Sequence, residues 1–180
     1  DNFAEGRDRA MRLAGEIRRR GLDFTWFASA CANQVDPEML RAFKDAGCWA
    51  ILFGIESGVQ RNLNTLRKGI TLAQARNAVA WAKEAGLAVQ TTFMFGIPGE
   101  TREDALRTID FACELDADWA SFHAIVPFPG TVLHDRAAGL GTISEDLQDF
   151  TYQGAAFVPY TMTRDQIVAL RQRAYRAFYS

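Results

Sequence analysis

The sequence predicts an α/β fold, a partial TIM-type parallel βα barrel over residues 1–135 with a helical extension over 136–180. Three observations carry this reading. Strand-like apolar runs alternate with amphipathic helical ones along the chain. The stretches joining successive strand-like runs have the length of parallel crossovers rather than hairpins. Three of the strand runs break into tight polar loops: Phe53-Gly-Ile-Glu-Ser-Gly58, Phe95-Gly-Ile-Pro-Gly-Glu-Thr101 and Val126-Pro-Phe-Pro-Gly-Thr131. Ligands of parallel α/β proteins bind at the carboxyl ends of strands, where the following turns converge. Three such loops along one chain point to one composite site.

The elements follow in order. Asp1-Asn2-Phe3 and an amphipathic segment with Ala10, Leu13, Ala14 and Ile17 on one face read as the tail of a βα unit. Residues 24–30 form a first strand. Asp36 then caps a helix with Pro37 at its first position, and Met39, Leu40, Phe43 and Ala46 line its inner face until Gly47. Trp49 to Phe53 is a short continuous apolar run, as in a strand covered on both faces. A helical segment after Ser57 breaks at Gly69. Thr71 and Gln74 form a capping box for a helix with Leu72, Ala75, Val79 and Ala82 inward, ending at Gly86. Residues 88–95 are the next strand. Thr101 and Asp104 open a helix whose inner face is Ala105, Leu106, Ile109, Ala112 and Cys113. Residues 119–126 are the last clear strand. Beyond Thr131 the pattern becomes loop-rich, until a final helix capped by Thr163 and Gln166.

Composition narrows the function. The net charge of -2 provides no broad basic field for nucleic acid. No apolar stretch approaches the roughly 20 residues of a membrane span, and no signal peptide opens the chain. Cys31, Cys48 and Cys113 are odd in number and widely spaced, with no C-x-x-C pair, which fits a reducing cytoplasm.

Glu56 at a strand end and Lys68 twelve residues on could bracket a zwitterion. Each also has an ordinary reading, Glu56 as a carboxylate favoured by a helix N-terminus and Lys68 as a solvated lysine near a helix end. Taken with the Gly-Ile-Pro-Gly-Glu-Thr and Pro-Phe-Pro-Gly-Thr loops, however, the run resembles the radical S-adenosylmethionine (radical SAM) superfamily. The likeness runs from Asp1-Asn2-Phe3 through Ala46-Gly-Cys-Trp49 to Phe178-Tyr179, and the closing Arg173–Tyr179 run resembles the branch that carries a cobalamin-binding domain upstream.

The resemblance implies a three-quarter barrel and two cofactors, S-adenosylmethionine and a 4Fe–4S cluster, with cobalamin as a third in that branch. It implies a small-molecule substrate and a methyltransferase or cyclase activity. Methylthiotransferase-like or coproporphyrinogen-oxidase-like chemistry, or a catalytically silent binding domain, are the alternatives. The family's C-x-x-x-C-x-x-C cluster loop is absent, so the cluster ligands and any cobalamin domain are expected upstream of Asp1 in the same polypeptide. The resemblance assigns roles in the S-adenosylmethionine site: Lys68 to the methionyl carboxylate, Glu56 to ribose hydroxyls or the ammonium, and Asp1 near the ammonium. Thr92 faces the ribose, Ser29 is a polar neighbour, and Gly96 to Gly99 with Val126 pack against adenine. No metal ligand is assigned within the chain. Glu100 and Thr101 are expected to cap the following helix. Cys48, Cys113 and the tryptophans Trp26, Trp49, Trp81 and Trp119 are expected in the core.

Overall fold

A computed structural model of the chain describes residues 2–137, 139–151 and 154–180. Its elements in order are α1 (Arg7–Arg19), β1 (Trp26–Ala30), α2 (Pro37–Asp45), β2 (Cys48–Glu56), α3 (Gln60–Thr65), α4 (Leu72–Glu84) and β3 (Ala88–Phe95). They continue with α5 (Arg102–Glu114), β4 (Trp119–Ala124), α6 (Val132–Ala137), β5 (Gly141–Ile143), a 3₁₀ turn (Leu147–Asp149), β6 (Phe157–Pro159) and α7 (Arg164–Phe178). Strands β1 to β4 form one sheet in that order, with β1 and β2 parallel and Ser29 opposite Leu52. Among the described residues no helix is long and apolar enough to cross a membrane.

Two compact units make up the chain. The first comprises Asp1–Ile55, Gly69–Thr92 and Leu115–Ala120; the second comprises Glu56–Lys68, Phe93–Glu114 and Ser121–Ser180.

In the first unit α1 packs on α2, and α2 on α4. Capping explains where these helices start. Asp36 accepts the Met39 N–H at 2.9 Å, and Thr71 and Gln74 satisfy each other's backbone donors in a reciprocal box. Ala10, Ala14, Met39, Leu40, Phe43, Ala75, Ala78 and Val79 are buried, as the 3.6-residue period requires. Phe3, Trp26 and Phe43 stack around one another with ring centroids 4.8–5.5 Å apart. Three expectations fail here. Leu13 is 44% exposed, because the face of α1 that meets α2 is lined by alanines and Ile17. Trp49 and Trp119, 48% and 42% exposed, lie at the starts of β2 and β4 and meet edge-to-face with ring centroids 6.1 Å apart instead of entering the core. Trp26 and Trp81 are half-buried.

In the second unit α5 packs on α7, and Phe93, Phe95 and Phe122 stack beneath Tyr175, whose hydroxyl accepts the Phe122 N–H at 3.2 Å. α7 begins with a complete capping box of Thr163 and Gln166. Cys113, expected in the core, is exposed, and Thr108 and Phe111 are buried on α5 instead. The loop-rich stretch after Thr131 holds more order than its pattern suggests. It contains α6 and an antiparallel pair, β5 with β6, in which Thr142 lies opposite Val158. Strands of three residues are too short to show an alternation. β4 ends at Ala124, two residues before the expected limit.

Candidate functional site

Within the second unit the ends of β2, β3 and β4 each contribute a loop. Glu56 closes β2 with a backbone φ of 76°, a left-handed conformation that L-residues with a Cβ adopt at a cost. Its carboxylate is withdrawn from solvent, and Oε1 accepts a hydrogen bond from Lys68 Nζ at 3.0 Å. The other oxygen, Oε2, is buried and has no hydrogen-bond partner among the described residues.

The turn that delivers Lys68 is local. The Lys68 N–H bonds the Leu63 carbonyl and the Arg67 N–H bonds the Asn64 carbonyl, both at 3.0 Å, which closes α3 in a Schellman-type motif. Arg67 occupies the left-handed position of that motif with φ 52°, where glycine is usual.

Behind Glu56 lies a buried polar network. Ser57 Oγ bonds Thr108 Oγ1 at 3.1 Å and accepts from Asn62 Nδ2 and the Val59 N–H, both at 3.2 Å. Gly58 sits so close to α5 that a Cβ there would lie 2.5 Å from Phe111 Cβ and 2.9 Å from the Arg107 carbonyl, so only glycine lets this loop reach the helix. Its N–H donates to Thr108 Oγ1 at 3.1 Å.

The loop after β3 is a turn in which the Glu100 N–H bonds the Ile97 carbonyl at 2.8 Å, with Pro98 and left-handed Gly99 between them. Gly96 has φ 83°, and a Cβ there would lie 3.2 Å from Ile167 Cδ1 of α7. Glu100 does not cap α5. Its Oε2 accepts the Gly96 and Ile97 N–H groups at 2.7 and 3.2 Å, and its Oε1 accepts from Asn62 at 3.2 Å. Complete burial pushes its carboxyl up to about 8, against the pull of those two backbone N–H groups. The cap of α5 belongs to Thr101 and Asp104, which exchange side-chain and backbone hydrogen bonds at 3.0–3.2 Å, while Arg61 bridges to Asp104. Both carboxylates could bond the loop or the helix from their places in the sequence; only the fold separates their tasks.

The Ile125 N–H donates to the Phe95 carbonyl at 2.9 Å, and half-buried Val126 follows, one residue beyond the pairing. His123 on β4 is half-buried; burial and then the Arg171 guanidinium push its imidazole down, with Glu56 pulling the other way.

Of the residues singled out from sequence, Glu56, Lys68, Gly96, Gly99 and Val126 lie in the second unit, and the first two meet directly. Ser29 and Thr92 lie in the first unit, each half-exposed on its strand, and the Ser29 carbonyl accepts the Phe3 N–H at 2.7 Å. Asp1 lies outside the described residues. The Ser57–Asn62–Thr108–Glu100 network was missed. Its one signal in the sequence is polar residues at positions of α3 and α5 that should face the core.

Among the described residues no group of three or more His, Cys, Asp or Glu side chains could hold a metal ion. Cys31 follows β1, Cys48 opens β2 and Cys113 lies near the end of α5, so the chain's own thiols do not fit an iron–sulfur cluster. S-adenosylmethionine is a better fit. The unpartnered Glu56 Oε2 suits its hydroxyl or ammonium donors, and Lys68 keeps two further N–H donors for a carboxylate.

The family model described as the radical SAM superfamily matches residues 3–112. An uncharacterised methyltransferase of Pyrococcus horikoshii is 37% identical over 180 residues, 99% of this chain and 39% of that protein. The anaerobic magnesium-protoporphyrin IX monomethyl ester cyclase of Cereibacter sphaeroides is 27% identical over 182 residues, 96% of this chain and 29% of that protein. The chain thus spans well under half the length of these relatives. Among solved structures, the radical S-adenosylmethionine methyltransferase TsrM of Kitasatospora setae, with cobalamin and a 4Fe–4S cluster bound, superimposes with a TM-score of 0.69 at 24% identity, covering 96% of this chain and 36% of that one. Coproporphyrinogen III oxidase of Escherichia coli gives a TM-score of 0.69 at 14% identity, covering 94% and 36%. These likenesses establish the fold as the partial TIM-type α/β arrangement of that superfamily.

Proposed function

The chain belongs to the radical SAM superfamily, and on that premise we propose that it forms the S-adenosylmethionine-binding part of a longer cobalamin-associated enzyme, a methyltransferase or a cyclase. The observation that carries the reading is Glu56. A residue in a costly left-handed conformation, with one carboxylate oxygen buried and unsatisfied, is a feature that folding alone disfavours and a ligand donor would complete.

The residues of the chain divide the work of binding. Glu56 Oε2 accepts from ribose hydroxyls or the ammonium, and Lys68, already oriented by Glu56 Oε1, neutralises the methionyl carboxylate. Gly96 and Gly99 keep the loop after β3 free of side chains where adenine packs, with Val126 beside it. When bound, S-adenosylmethionine supplies a 5′-deoxyadenosyl radical or a methyl group; the chain binds, orients and excludes water. The cluster ligands and the cobalamin domain belong to the upstream part of the polypeptide, the substrate is a small molecule, and the protein works in the cytoplasm, where free thiols persist.

The test is Lys68→Ala in the full-length enzyme. S-adenosylmethionine affinity in equilibrium dialysis should fall about ten- to a hundred-fold, the loss of a charge-assisted hydrogen bond, while the cluster's absorption band is unchanged. Unaltered affinity would return Lys68 to the role of a solvated lysine.

A further inference from the structure

The Schellman turn that sends Lys68 toward Glu56 also presents Arg67 to a different cavity. This cavity, about 320 Å³, is lined by Thr65, Leu66 and Arg67 from the end of α3 and by Val132, Leu133 and Arg136 from α6. Its volume lies at the small-ligand end of the usual range for binding pockets. Leu66 and Leu133 form an apolar floor anchored on the buried cluster of Ile97, Ile125, Ala137 and Phe157, and Val132 remains 64% exposed at the wall.

Over this floor stand two cations. Neither the Arg67 nor the Arg136 guanidinium meets a carboxylate among the described residues. The nearest acid in sequence, Asp135, has a side chain 77% exposed and lies 3.8 Å from His134. Arg67 holds a left-handed backbone conformation that glycine would adopt without steric cost, so the chain carries a guanidinium at a position that folding favours leaving bare. An exposed apolar surface flanked by two unpaired guanidinium forks matches one kind of occupant: a molecule with an apolar body and a terminal oxyanion.

We propose that the pocket between α3 and α6 binds an amphipathic small-molecule anion, its carboxylate, phosphate or phosphonate held by Arg67 and Arg136 and its apolar body lying on Leu66, Leu133 and Val132. The site stands apart from the cofactor reading, because it uses none of the residues assigned to S-adenosylmethionine and can be probed with no cofactor present.

The full-length enzyme, with labelled leucine and valine methyl groups, is titrated by NMR against sodium octanoate, octylammonium chloride and inorganic phosphate. Octanoate should shift the methyl signals of Leu66, Val132 and Leu133, with octylammonium and phosphate each binding at least about tenfold more weakly, since each lacks one of the two recognised features. The double variant Arg67→Gln/Arg136→Gln should lose about tenfold or more in octanoate affinity. Either single variant should lose part of that, and serves if the double variant is unstable. Arg173→Gln, an exposed arginine of α7 beside another cavity, should change nothing. Equal binding of octylammonium, an unaffected double variant, or no shift at these methyls overturns the proposal. Shifts of the same methyls with protein concentration alone also overturn it, in favour of a second copy of the chain as occupant.

Discussion

Glu56, at the end of β2, and Glu100, in the loop after β3, are both withdrawn from solvent, 7% and 0% exposed, yet their surroundings are opposite. Glu100 is enclosed by donors that belong to the fold: two backbone N–H groups and an amide reach its two oxygens. Glu56 has one lysine on one oxygen and, among the described residues, no partner on the other, and its own backbone is in a disfavoured conformation. A buried carboxyl group with donors of the fold on both oxygens holds a loop in shape. One left half-satisfied on a costly backbone is the feature on which the proposed binding role of Glu56 rests. The comparison sets a carboxyl that serves the architecture beside one proposed to bind, within one pair of neighbouring strand ends.

The largest test of it is Glu100→Ala. Removing the acceptor leaves the Gly96 and Ile97 N–H groups and the Asn62 amide buried without partners, and stability should fall by about 2–5 kcal/mol in urea denaturation. Glu100→Gln retains an acceptor oxygen and should cost less. If the alanine variant is as stable as the parent, the loop does not depend on this carboxyl.

The same pair of chains gives a pH signature. Burial raises the Glu100 carboxyl from its ordinary value of 4.5 to about 8, so the folded chain holds this proton more tightly than the unfolded one. Its contribution to stability is therefore full below about 4.5, declines as pH rises toward about 8, and is level above that. Denaturation midpoints measured across pH 4–9 should show this decline in the parent and its absence in Glu100→Gln. Parallel profiles would mean that Glu100 titrates as an ordinary carboxylate.

A smaller effect is expected at Glu56. Glycine tolerates φ 76° and alanine does not, so Glu56→Gly should be more stable than Glu56→Ala by roughly 1–2 kcal/mol. In the full-length enzyme both should lose S-adenosylmethionine affinity alike. Stability that favours alanine would remove the strain from the argument. Smallest of all is Arg61→Ala. Its partner Asp104 keeps the Thr101 N–H and hydroxyl, and Arg61 is 62% exposed at its side chain, so the thermal midpoint should move by the equivalent of less than about 1 kcal/mol.

Much of the fold was legible because its elements obey local rules. The capping residues Asp36, Thr71, Thr101 and Thr163 stand where their side chains meet backbone N–H groups three residues on. The alternation along β3 buries Val89, Thr91, Phe93 and Phe95 and leaves Thr92 half-exposed. The glycine-bearing loops could be placed at strand ends for the same reason. The errors fall where the deciding partner is distant in the chain. Cys113 is apolar enough for the core but α5 turns Phe111 inward instead, and Trp49 and Trp119 find each other at the strand starts.

By itself, then, the sequence determined the alternation of strands and helices and the three strand-end loops with Glu56, Gly96, Gly99 and Val126 within them, since each follows from periodicity, turn chemistry and family resemblance. Only the tertiary structure decided that Glu100 bonds the loop while Asp104 caps the helix, that Gly58 touches α5, and that Glu56 keeps one oxygen unpaired. The physical reason lies in the hydrogen bond. A short segment determines which groups need partners, but the donors that meet Ser57, Glu100 and Glu56, or fail to, arrive from residues that are brought close only when the chain folds.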